Sequence, residues 1–152
     1  EVVVYRDGAV VWRSPSTWHV VDAALGDPND DGREEILLAL WKTGLDGLET
    51  PTPEKETIPR SHPFIIGYRG GRYRTLWGGS AVDVPISEVA LGDVDGDGAE
   101  ELVVLDGIDL LNRQVSLWHW HGWGFSLVWR SEPAAYHDLL VTDDGIISVG
   151  VD

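Results

Sequence analysis

Cysteine is absent from the 152 residues. That excludes a disulfide framework and any thiolate nucleophile or thiolate metal site, and it leaves the redox compartment unread. Basic side chains are scarce: 11 Lys and Arg face 26 Asp and Glu, for a formal charge of −15. A field of that sign repels nucleic acid and anionic membrane surfaces, so cations are the natural counterparts. No apolar run approaches the length of a transmembrane helix, and residue 1 opens a strand-like segment rather than a leader peptide. A nucleophile elbow, a Walker loop and an HExxH zinc motif are also missing, and nothing marks an enzyme. What remains is a chain of one-domain length, 43% hydrophobic and with eight tryptophans, enough to bury a core.

One pattern recurs three times, over 2–40, 64–107 and 115–151. Each copy opens with a short β-type strand and a Gly-containing turn: "YRDG", "YRGG" or "HWHGWG". A second strand ends at Trp12, Trp77 or Trp129. A third strand, an Asp/Gly loop and a fourth strand rich in Val, Ile and Leu complete the copy. Short strands punctuated by Gly, Asp, Asn and Pro, without helical periodicity, predict an all-β single domain of about twelve strands. The segment 41–63, which carries Pro51, Pro53, Pro59 and Pro63, reads as an inserted surface loop.

The Asp/Gly loops carry the chemistry. In "GDVDGDGAEELVVL", counting from Asp93, carboxylates fall at positions 1, 3 and 5 (Asp93, Asp95, Asp97), a glycine at 6 (Gly98), the Ala99 carbonyl at 7 and Glu101 at 9. In "GDPNDDGREEILLAL" the same places hold Asp27, Asn29, Asp31, Gly32, the Arg33 carbonyl and Glu35. Alternate oxygen donors with a glycine for the sharp turn suit calcium, which takes six to eight oxygens in a flexible shell. An EF-hand would need its bidentate acid at position 12, where Leu38 and Val104 stand, and helices instead of strands around the loop. Solvated Asp/Gly turns are the plainer alternative, but ordinary turns do not demand alternate carboxylates. The third loop, "VTDDGI", keeps only Asp144 at an equivalent place and reads as a turn without metal function.

With these loops the chain resembles the FG-GAP/VCBS repeats, the calcium-loop blades of integrin-type β-propellers. The resemblance implies two Ca2+ sites with the acid at position 9 as a ligand. It also implies that each loop joins the innermost strand of a blade to the next strand outward. On that order, strands near 18–26, 34–41, 64–68 and 72–77 form one four-stranded blade. Those near 86–92, 100–106, 114–120 and 124–130 form a second. The third blade has its inner strands at 136–142 and 146–151 and takes its outer strands, 2–5 and 9–14, from the N-terminus. Propellers have four to eight blades, so the half-blades are expected to pair with those of another copy, as a ring or a filament. A piece of a longer propeller is the alternative.

The functional expectation is a non-enzymatic, extracellular or cell-surface calcium-binding repeat protein of structural or adhesive role. The other reading is a lectin-like or protein-recognition module using loops such as 42–62. The aromatic stretch "LWHWHGWGFSLVW" bears on that choice. Alternation puts Trp118 and Trp120 on one strand face, with His119 and His121 on the other. Trp12, Trp77 and Trp129 recur at equivalent places and are expected to pack between repeats. Trp123, in a turn, is the candidate exposed ligand-binding residue. Two histidines without a third ligand are weak evidence for zinc.

Overall fold

The computed structural model describes residues 1–42 and 60–152, and among these every regular element is a β-strand. Strands β1 (Val3–Arg6) and β2 (Ala9–Arg13) form a hairpin. Its turn residues Asp7 and Gly8 both have positive φ, 51° and 78°, the geometry that matches the twist of the flanking strands. Next come β3 (His19–Gly26), β4 (Glu35–Lys42), β5 (Arg60–Arg69) and β6 (Arg72–Gly78), an antiparallel sheet in that order. A second four-stranded antiparallel sheet contains β7 (Ile86–Gly92), β8 (Glu101–Asp106), β9 (Gln114–Trp120) and β10 (Phe125–Arg130), again in chain order. A last hairpin pairs β11 (Tyr136–Val141) with β12 (Ile147–Val151).

The predicted strands fall on these elements with one shift. The pairs Trp41↔Ser61 and Lys42↔Arg60 carry β4 and β5 into the segment read as loop 41–63. The rest of that segment, 43–59, lies outside the described residues.

Four layers stack: hairpin, sheet, sheet, hairpin. The central strands β4 and β8 are buried on both faces, which explains their unbroken apolar runs. Ile36, Leu38 and Leu40 face Val2, Val4 and Trp12 of the first hairpin. Leu37 and Ala39 on the other face meet Leu102 and Val104 of the second sheet. Val103 and Leu105 then look toward Leu139, Ile147 and Val149 of the last hairpin. Truncating a fully buried leucine such as Leu37 would remove about 2–5 kcal/mol.

A repeated contact orders the layers. Asp22 of β3 accepts from the Val89 amide of β7 at 2.9 Å, and Glu88 of β7 accepts from the Leu139 amide of β11 at 2.8 Å. The first strands of successive layers therefore lie side by side. The two hairpins sit on opposite flanks of the stack and remain separate two-stranded sheets, so the predicted third unit is not assembled within the described chain.

The three recurring tryptophans differ accordingly. Trp12 and Trp77 pack into clusters between layers. Trp129 is half exposed (50%) instead of packed. It pairs with Leu117 on the face that carries the last hairpin, and that hairpin supplies only two strands, too few to reach it.

Candidate metal sites and an aromatic cavity

Both Asp/Gly loops close on the same register. Gly26 pairs with Glu35 and Gly92 with Glu101, so the acid at position 9 is the first residue of a doubly buried strand. Strand position alone therefore buries these two carboxylates, Glu35 at 1% and Glu101 at 2% exposure. Gly32 (φ 80°) and Gly98 (φ 94°) hold the left-handed turn expected of the sixth residue, where a side chain would be strained.

In the second loop Asp93 organises the turn. Its Oδ1 accepts from Gly96 and Asp97 amides at 2.7 and 3.1 Å, and its Oδ2 from Gly98 at 3.0 Å. Glu101 Oε2 accepts from the Val94 amide at 2.8 Å. Its Oε1 is buried and has no hydrogen-bond partner. His119 Nδ1 stands 3.6 Å away, too far for a hydrogen bond. Asp93, Asp95 and Glu101 each bring an oxygen within 4.8 Å of the others. Asp97 stands outside that trio, its Oδ1 accepting from the Ala99 amide at 2.8 Å.

In the first loop the trio is Asp27, Asp31 and Glu35. Asp27 accepts from Asp31 and Gly32 amides at 3.0 and 2.7 Å. Oriented to satisfy its neighbours, the Asn29 amide donates to Asp27 Oδ1 at 3.1 Å and Glu35 Oε2 at 3.2 Å. A guanidinium completes this site. Arg69, at the end of β5, bonds Glu35 Oε1 at 2.5 Å and also Asp31. Burial pushes the Glu35 carboxyl above its ordinary range, and Arg69 opposes that shift. Arg69 lies 34 residues from Glu35, and only the β4–β5 register brings them together.

The two loops touch. Glu100 of the second accepts from the Asp27 amide of the first at 2.5 Å, in space that a side chain at Gly26 would fill. The third loop spans only Thr142–Ile146 between paired Val141 and Ile147, against eight residues in the others. There Thr142 donates to Asp144 and accepts from Ile146, a self-contained turn.

Trp118 and Trp120 do share a face, packed toward the first sheet. Trp123 is 79% exposed, its ring 4.3 Å from that of His121. Both rim a cavity of about 600 Å3 between the two four-stranded sheets. No motif announces the polar group inside it. Asp106, the last residue of β8, is 1% exposed, and burial pushes its carboxyl up to about 6. A scan against protein-family models and a search of the curated proteins both find no match for the chain.

Proposed function

We propose that the chain is a calcium-binding repeat protein of the FG-GAP/VCBS kind, its four-stranded sheets being propeller-type blades stapled at their loops. The observation that carries this reading is Glu101 Oε1, a buried carboxylate oxygen without a partner beside two further carboxylates. Leaving such an acceptor unpaired costs about 1–3 kcal/mol, more when it is charged. A hard cation removes that cost, and an all-oxygen donor set fits calcium. The second site uses Asp93, Asp95, Asp97, the Ala99 carbonyl and Glu101. The first uses Asp27, Asn29, Asp31, the Arg33 carbonyl and Glu35. Bound calcium would cancel the repulsion within each loop, while the chain's carboxylates fix where the two central strands begin. Weak calcium sites suit millimolar extracellular calcium, so the role is extracellular or cell-surface, non-enzymatic, and structural or adhesive.

The repeats also point to copies of the chain as partners. Trp77 packs edge-on against Trp120 and Phe125 of the next sheet, at 5.4 and 5.5 Å between ring centroids. Trp12 packs on the first sheet, in a cluster that also holds Tyr73. Trp129 is the third of the series. The residues that match Trp120 and Phe125 are the paired Tyr5 and Val10, one place before the first hairpin's turn. They are 63% and 42% exposed. Asp138 likewise follows Asp22 and Glu88, and its side chain is 88% exposed. The forward face of one copy thus matches the rear face of another, a head-to-tail contact that closes a ring or grows a filament.

Thermal melts test the metal. At 100 times the dissociation constant, ligand adds about 2.7 kcal/mol, so chelation should lower Tm by about 5–10 °C. Glu101→Gln should abolish most of that shift, and an unchanged melt on chelation would sink the proposal. Light scattering in calcium tests the partner. Association that Trp129→Ser reduces is the expected result. A wild-type monomer at all concentrations would mean that other sequence covers these faces.

A further inference from the structure

We infer that β11 changes register when copies of the chain join: its bulge moves back one residue, and Asp138 leaves His137 to accept the Ala23 amide of the next copy. This rests on the head-to-tail reading above and adds how that contact is made and controlled. The strands that lead the layers share a plan. In β3 the ladder skips Val21, between Val20 and Asp22, and in β7 it skips Ser87, between Ile86 and Glu88. The acid just after the skip opposes Ala39 or Leu105 and accepts an amide of the next layer, Val89 or Leu139. The matching donor in the first layer is the Ala23 amide. Ala23 is exposed, whereas Val89 is buried and Leu139 half-buried.

Strand β11 departs from this plan by one residue. Here His137 opposes Gly150, and the skip falls on Asp138 and Leu139. Asp138 stands at φ 52°, in the left-handed region, which neither Asp22 nor Glu88 enters. Gly150 permits the slip, because its missing Cβ leaves the space that the His137 ring fills. Ala39 and Leu105, at the same place in the other layers, both carry side chains. His137 Nδ1 lies 2.7 Å from Asp138 Oδ2, and its Nε2 lies 3.3 Å from Asp152 Oδ1. From neighbouring elements, Glu88 takes the Leu139 amide and Arg113 the Tyr136 carbonyl, on either side of this pair. The hydrogen bond to Asp138, and then the charge of Asp152, raise the His137 pKa above its ordinary value. A charged ring thus favours the unjoined register. That preference is full at low pH and is lost as pH rises through the His137 pKa, so association strengthens with pH.

The test is light scattering of the full chain in saturating calcium, from pH 5.5 to 8, with amide hydrogen exchange read at Ala23. Wild type should associate at least about threefold more tightly at the upper pH, with the Ala23 amide protected in the assembly. His137→Gln should associate with little dependence on pH. Gly150→Ala should associate more tightly than wild type at pH 5.5, since the added methyl displaces the ring and copies the Ala39 arrangement. Mere damage to the hairpin would weaken association instead, so a folded Gly150→Ala no tighter than wild type overturns the switch. Assembly that pH leaves unchanged, or that leaves Ala23 exchanging freely, also overturns it while the head-to-tail reading stands. A wild-type monomer at every pH overturns both.

Discussion

The first and second loops carry the same donor spacing and begin strands buried in the same way, yet they solve the charge problem differently. In the first, Arg69 reaches across from β5 and neutralises Asp31 and Glu35 from within the chain. In the second, nothing among the described residues takes that place, and Glu101 Oε1 stays unpaired. Spacing alone makes the sites look equal. The environment leaves the second with an unpaired buried carboxylate oxygen and gives the first a guanidinium that would compete with a metal.

Removing the guanidinium should break that difference most strongly. Arg69→Leu would leave Glu35 buried with no cation, a loss of about 3 kcal/mol in chelator, since losing one partner strands the other charge. Calcium should then restore more stability to this variant than to the wild type, because the first loop now resembles the second. Denaturant unfolding with and without calcium, alongside calorimetry, reads both effects. Equal calcium stabilisation of variant and wild type would show that Arg69 does not compete with the metal.

A third buried carboxylate lies between these extremes. Asp106 has an arginine beside it, but one that Asp83 holds out of line. Its carboxyl is raised from 3.8 to about 6, so the folded state binds this proton more tightly than the unfolded chain does. Stability from this group is therefore fully present below about pH 4 and is lost as pH rises through 6. A shift of that size is worth up to about 3 kcal/mol. Asp106→Asn escapes the loss, so its stability relative to wild type should rise by about 2 kcal/mol between pH 4.5 and 7.5. A constant difference across that window would mean that Asp106 is well paired after all.

How much of this was legible in the sequence follows from the range of each interaction. Strands, turns and the nine-residue loop pattern are local, and they lie where alternation and Gly/Asp punctuation put them, as in "YRGG" and "DVDGDG". The two acidic trios were legible for the same reason. Arg69 was not, because it reaches Glu35 only through the β4–β5 register, across an interval that includes 43–59. Nor was Asp106, one of many acids, whose burial is decided by where β8 ends. Trp129 keeps its equivalence with Trp77, but the strands that would cover it are not on that flank of the stack, and it stays half exposed.

The smallest effect probes whether the loops act separately at all. Glu100 belongs to the second loop but accepts from the Asp27 amide of the first, so ordering one loop positions a ligand of the other. Glu100 is absent from both trios, and losing it removes one charge-assisted hydrogen bond, about 1.5 kcal/mol, and no metal ligand. Glu100→Ala should therefore weaken the second of the two calcium-binding steps by up to about tenfold while leaving the first step nearly unchanged. By reciprocity, a coupling between two calcium sites must appear in both binding steps. In wild type, occupying the second loop should tighten the first, and in the variant the two steps should become independent. Two-site calorimetry distinguishes these cases. A second step that stays tighter than the first in the variant would mean that Glu100 does not link the two.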